Sequence, residues 1–327
     1  MLRTSLRGFS VLACLGAIGC ASVGFQQPLS AIAIELDETP FHPQTKYMCG
    51  PSALATVFHR SGLEISSEKL AEQVYVPSRR GSLQIEMVAA TRRHDRLAVL
   101  VDGNLQAILD ELKLDRPVLV LQNLGLKRFP VWHYAVVIGY DPDDDSFILR
   151  SGTTKRLVIR RSRFARTWAR AERWAIVVLK PGELPQSQDA TTYVNAVVGL
   201  ESTGRLHAAF RAYQAGLTRW PSNNLLLFGY GNTLYELEEI ELAAKAYQDL
   251  LVVSPEYLPA LNNLAQVLGE LGCRREALAL VDRASQLVDS SFRGILAETR
   301  RSISNRPDTE CGVVINQRPG PFPPGHP

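Results

Sequence analysis

Between residues 51 and 113, apolar side chains recur three and four positions apart, a spacing that predicts helices near 51–61, 66–74, 82–93 and 104–113. In the first of these, Leu54, Val57 and Phe58 share a face, Pro51 takes a first helical position that needs no N–H, and Gly62 before Leu63 supplies a stop. Farther along, the apolar residues gather into short runs that predict strands at 97–101, 117–122, 133–140, 147–151, 156–159 and 174–179. Helices first and an antiparallel sheet after is an α+β order, distinct from a repeating strand–helix–strand one. Pro181-Gly182-Glu183-Leu184-Pro185, with polar Gln186 to Asp189 behind it, reads as a linker.

Past that stretch the pattern repeats. Ala209, Ala243 and Ala277 are 34 residues apart, as are Tyr213, Tyr247 and Val281, and Pro221 and Pro255 keep the same interval with Asp289 in the third slot. The period resembles that of tetratricopeptide repeats. Laid on that pattern, Tyr193, Leu227 and Leu261 stand early in each first helix, Gly231 makes a small-residue contact, and Val197 and Ala265 replace the usual Gly. The resemblance implies three helix pairs stacked into a short solenoid with a concave side, because each pair has an apolar face that only its neighbour covers.

A chain of 327 residues with 46% apolar and 21% charged side chains can bury cores for two domains. Its net charge of +3, from 36 basic and 33 acidic residues without a long run of one sign, gives no case for nucleic acid. Arg156, Arg160, Arg161, Arg163 and Arg166 read as a solvated basic face. The beginning differs: Arg3 and Arg7 precede an uncharged apolar run from Phe9 to Gly19, too short to span a bilayer and closed by Ala17-Ile18-Gly19-Cys20. This resembles a bacterial lipoprotein signal, with Ala17 where Leu is commoner, and the resemblance implies cleavage before Cys20 and lipid on its thiol. Ala21 and Ser22 imply the outer membrane. A plain secretory signal cut near Ala21 is the alternative.

Five cysteines then sort readily. Cys14 leaves with the signal, Cys20 carries the lipid, and Cys273 and Cys311 can pair in an oxidising compartment, leaving Cys49 alone. Cys49 stands just ahead of the helix begun by Pro51, where free amides and the dipole favour thiolate. It is equally the place for a small buried apolar residue. A nucleophile needs a base. His59, on the same helix, is roughly 15 Å of rise away; His94 sits among charges, His207 in a repeat and His326 in the tail, while His42 stays open on geometry. His133 opens the run Trp132-His133-Tyr134-Ala135-Val136-Val137-Ile138-Gly139-Tyr140-Asp141, an apolar strand able to fix an imidazole at its mouth.

Gln44 five positions before Cys49, the run Cys49-Gly50-Pro51-Ser52-Ala53-Leu54, and His133 to Asp141 together resemble the papain-like bacteriocin-processing, or double-glycine, cysteine peptidases and their stand-alone relatives, over about 35–180. The resemblance implies an activated Cys49, His133 as general base and acid, and Gln44 donating to the oxyanion. The family orients its histidine with an Asp or Asn on the next strand, and this chain departs there. Asp141 is roughly 26 Å along the strand from His133, so Asp141-Pro142-Asp143-Asp144-Asp145 reads as a solvated turn, with a cation site as the lesser alternative. Ser151 holds the orienter position, and Gln122 or Asn123 can approach the ring from the side.

The expected organisation is a lipoprotein signal peptide over 1–19, a lipidated tether over 20–31, an α+β papain-like cysteine peptidase domain over 32–182, three tetratricopeptide repeats with a capping helix over 190–304, and a disordered Pro-rich tail over 305–327. The expected function is peptide-bond hydrolysis at the cell envelope, facing the periplasm, without metal or cofactor, on a peptide or protein substrate. The repeats would recruit substrate or a protein partner, and the lipid would hold the membrane. With no transporter segment or ATP-binding loop, cleavage after Gly-Gly is not inherited from transporter-fused relatives. A weakened fold that only grips peptides is the second reading. A cell-wall hydrolase is the third, disfavoured because Met48-Cys49-Gly50 replaces the Asp-Cys-Ser usual there.

Overall fold

A computed structural model describes residues 28–187, 189–287, 291–307 and 311. The signal segment, Cys20, Asp289 and the tail from 312 onward lie outside them. The N-terminal domain runs through β1 (Ile34–Glu35), α1 (Cys49–Arg60), α2 (Ser67–Val74), β2 (Tyr75–Val76), β3 (Gly81–Ser82), α3 (Gln84–Arg93), β4 (Leu97–Leu100), α4 (Leu105–Leu112), β5 (Val118–Asn123), β6 (Trp132–Asp141), β7 (Ser146–Ser151), β8 (Thr154–Arg160), α5 (Arg161–Ala169) and β9 (Ala175–Leu179).

Its main sheet has the order β4-β9-β5-β6-β7-β8, with β1 also on β6, and every pairing is antiparallel. Alternation along the central strands feeds two cores. Leu119, Leu121, Val136 and Ile138 pack with Leu54, Val57 and Phe58 of α1 on one face. Val118, Val120, Ala135 and Val137 pack with Leu109 of α4 and Phe164 and Trp168 of α5 on the other. With both faces covered, the strands read as continuous apolar runs rather than alternating ones. The β6–β7 register slips between Val137 and Gly139, and the β7–β8 register slips between Leu149 and Ser151; a slip of this kind re-aims side chains at a strand end.

The second region is a tetratricopeptide-like solenoid of α6 (Ala190–Glu201), α7 (Leu206–Arg219), α8 (Asn224–Glu236), α9 (Ile240–Val253), α10 (Leu258–Glu270), α11 (Arg274–Leu287) and α12 (Arg293–Ser304). The 34-residue register explains its packing: Ala209, Ala243 and Ala277 are fully buried, and Gly231 lies against the Tyr247 ring. Pro221 and Pro255 fall just past the ends of α7 and α9, where a missing N–H stops the helix. Cys273 and Cys311 form a disulfide. Leu97 and Val99 from the edge strand β4, and Val177 and Leu179 from its neighbour β9, share one apolar cluster with Tyr193, Val194 and Val197 of α6. Between the two regions, Arg116 donates to the Leu184 carbonyl at 2.8 Å, Gln186 N–H to Glu111 at 2.7 Å, and Arg219 to the Pro185 carbonyl.

Candidate active site

Cys49 is itself the first residue of α1, with Pro51 third rather than first; Pro51 still sits within the turn whose amides have no helical partner. The entry is tight, because Tyr47 takes a left-handed φ of 69°, a conformation that costs a non-glycine residue about 1–3 kcal/mol. The backbone N–H groups of Tyr134, Gly50 and Cys49 itself favour the charged form of the Cys49 sulfur. Burial outweighs them and pushes the thiol above its ordinary pKa. The helix start therefore does not by itself hold a thiolate; at neutral pH the resting group is the thiol.

A glycine is required beside it. A Cβ on Gly50 would lie 2.7 Å from Ser82 Cβ and closer still to Ser82 Oγ. The hydroxyl of Ser82 on β3 is buried without a partner among the described residues, and its carbonyl accepts from the Tyr134 hydroxyl at 3.3 Å. Nothing in the sequence pattern marks Ser82; only the fold brings it to the helix start.

His133, the second residue of β6, stands opposite Gln122 of β5. Its Nε2 lies 2.8 Å from Ser151 Oγ, and burial pulls its pKa below the ordinary imidazole value. The side-on alternatives are taken: Gln122 donates to Thr167 Oγ1 at 2.6 Å, and Asn123 Oδ1 accepts from the amides of Gly125 and Val131 at 3.0 and 2.9 Å. Asp141 sits at the far end of β6 opposite Ser146, and in the same turn Asp145 accepts from Tyr140 and pairs with Arg161.

Gln44 joins the strand ends. Its backbone N–H donates to the Gly152 carbonyl, its Oε1 accepts from the Gly152 amide, both at 2.9 Å, and its Nε2 reaches the Tyr134 carbonyl at 3.3 Å. Gln44, Cys49 and His133 thus meet at the Tyr134 backbone, whose N–H favours a charged sulfur, whose C=O takes the Gln44 amide, and which directly follows His133. No hydrogen bond joins Cys49 to His133 among the described residues. His42 and His94 point elsewhere: His42 senses Glu68 and His59, and His94 contacts Gln73 at 3.2 Å and the Phe58 ring. Exposed Leu126, Phe129, Val131 and Trp132 form an apolar rim on the loop that leads into His133.

Residues 36–176 match the model of the Peptidase C39 like family. Among solved structures, a C39-like peptidase from Bacillus anthracis is 17% identical, with a TM-score of 0.39, over 46% of this chain and 98% of that one. The peptidase domain of Streptococcus ComA, a bifunctional ABC transporter of a quorum-sensing pathway, is 22% identical, with a TM-score of 0.35, over 43% and 98%. The first tetratricopeptide domain of Spaghetti (RPAP3), bound to an HSP90 peptide, is 19% identical, with a TM-score of 0.34, over 36% and 93%. No curated protein matches the chain.

Proposed function

We propose, from the match of residues 36–176 to the C39-like peptidase family model, that this chain is a cysteine peptidase that cleaves peptide bonds through a thioester at Cys49, with His133 as its base and acid. The observation that carries the reading is the 2.8 Å contact of His133 Nε2 with Ser151 Oγ. It commits one ring nitrogen to the protein and leaves Nδ1 for chemistry. Both reactive groups rest neutral, the thiol pushed up and the imidazole pulled down by burial. The proton therefore passes from sulfur to Nδ1 as the sulfur attacks the carbonyl, not in a preformed ion pair. That transfer needs a contact which forms when substrate closes the site, as apo geometries commonly require.

The developing oxyanion falls at the start of α1. Backbone N–H groups of the first turn and the second N–H of the Gln44 amide would donate to it. Imidazolium then protonates the leaving amine, and water, deprotonated by the same ring, releases the acyl group. Ser151 is the positioning residue, accepting Nε2–H with a neutral oxygen, a weaker acceptor than a carboxylate. The repeats recruit the substrate or a protein partner, and a lipid on Cys20 holds the chain at the envelope, facing the periplasm.

A second reading, a weakened fold that grips peptides without cutting them, draws on the missing carboxylate and on the absent Cys49–His133 hydrogen bond. One experiment separates them: react the full chain with a thiol-directed peptidyl electrophile over a pH series. Labelling confined to Cys49, faster than a model thiol and slowed in His133→Ala, supports the peptidase. A rate equal to the model thiol and indifferent to His133→Ala overturns it. For the anchor, Cys20→Ser should abolish fatty-acid incorporation and release the protein from membranes; retention of both refutes it.

A further inference from the structure

The basic run of residues 156–166 resolves into two groups. Arg156 pairs with Glu35 at 2.7 Å and Arg161 with Asp145 at 2.9 Å. Arg160, Arg163 and Arg166 enter no ion pair among the described residues. All three line a single cavity of about 540 Å3, together with Ser162, Leu157 and Ser151. Left empty of anions, that arrangement is unfavourable on two counts. Like charges three residues apart on a helix repel. The first turn of α5 also carries no acidic residue and no side-chain cap, so positive side chains gather at the positive end of its dipole. A negative ligand relieves both. The cavity also reaches Ser151, the buried hydroxyl that touches His133.

We propose that this cavity takes a carboxylate, gripped by Arg160, Arg163 and Arg166, and that the bound carboxylate completes the His133 pair through Ser151. The second half rests on the peptidase reading; the binding does not. His133 Nε2–H donates to Ser151 Oγ, and the Ser151 hydroxyl donates in turn to the carboxylate. No covalent bond forms and no proton leaves its oxygen or nitrogen. The ligand supplies, from outside the chain, the negative charge that an orienting side chain would have supplied from within. Its source is an acidic side chain of the substrate or a free small carboxylate.

Two arms test this on the full chain. In the first, the ring signals of His133, assigned by their loss in His133→Ala, are followed by nitrogen-15 NMR during an acetate titration, against chloride at equal ionic strength. The expected result is a saturable displacement of the Nε2–H signal by acetate alone, lost in Arg163→Gln/Arg166→Gln. Both arginines are exposed, so folding of that variant is expected and is checked by its melting curve. In the second arm, kcat/KM is measured on peptide pairs that differ only by Glu or Gln, with and without acetate. The expected gain is roughly tenfold, equivalent to about 1.4 kcal/mol, and it vanishes in Ser151→Asp, which carries its own carboxylate. Gain from acetate on neutral peptides assigns the free ion, and gain from Glu peptides without acetate assigns the substrate. If peptides are cleaved while neither acetate nor Glu alters ring signal or rate, the proposal fails and the peptidase reading stands. If nothing is cleaved, the ring signal alone decides whether the site binds.

Discussion

Replacing Ser151 by Asp moves activity and stability in opposite directions. The Ser151 hydroxyl lies 2.8 Å from His133 Nε2, and a carboxylate there converts a neutral hydrogen bond, worth about 1 kcal/mol, into a charge-assisted one worth about 2. Realised fully when the imidazolium forms, that difference of about 1–1.4 kcal/mol raises kcat/KM roughly five- to tenfold. Against it, Ser151 is only 8% exposed, and an ionised group left short of partners there lowers stability by about 1–3 kcal/mol, an amount reduced by the arginines of the neighbouring cavity. The pH profile carries a third signature. Burial holds the His133 pKa below its ordinary value, and an adjacent carboxylate raises it. Since the base must be neutral to accept the thiol proton, the acid limb of kcat/KM shifts to higher pH. The assay is a pH series of peptide hydrolysis beside urea unfolding of both proteins. A variant with unchanged rate and unmoved acid limb would show that Ser151 does not position His133, and the catalytic assignment would fall with it.

Three further outcomes follow from the packing. Opening the Cys273–Cys311 disulfide, which spans 38 residues, removes about 4 kcal/mol of chain-entropy stabilisation from the repeat region, read as a lower urea midpoint in reductant; an unchanged midpoint contradicts it. Gly50→Ala places a methyl against Ser82, costs about 1–3 kcal/mol by overpacking and displaces the thiol, so electrophile labelling should fall at least tenfold; equal labelling would mean that β3 does not abut the nucleophile. His42, His94 and His133 all have pKa values pulled down, chiefly by burial. Their stabilisation is therefore present above the free imidazole value of about 6.5 and is lost as pH falls through the lower folded values. Urea midpoints should drop between about pH 7 and pH 5, less steeply in His94→Gln, and a midpoint flat over that range contradicts the argument.

The elements most legible in the sequence were those whose side chains repeat a period long enough to read. The α1 face of Leu54, Val57 and Phe58, the β6 run and the 34-residue spacing of Ala209, Ala243 and Ala277 each state their own geometry. By contrast, α5 stayed hidden because its two anchors, Phe164 and Trp168, sit among arginines that read as a solvated face, and β1, β2 and β3 are two residues each, too short for any period. At the site, Gln44, Cys49 and His133 were marked by motif, and Ser151 by position. The protonation of Cys49 was not legible, because it depends on how much water the fold removes, and local amides alone point the other way. Ser82 and the Tyr134 backbone became visible only once a hairpin distant in sequence closed over the start of α1.

The apolar cluster that runs from β4 and β9 into α6 has a consequence for how a chain would meet Cys49 if the repeats recruit it as proposed. A module on a flexible tether raises the local concentration of its cargo but leaves every bond of that cargo within reach. Here Leu97, Val99, Val177 and Leu179 share one buried apolar cluster with Tyr193, Val194 and Val197, so swinging the solenoid away would wet the edge of the sheet. Under the proposed function, with the repeats holding the substrate, the assembly would work as a caliper. A chain gripped by the repeats can offer Cys49 only a stretch lying a set number of residues from the grip, so spacing would decide the cut before sequence does.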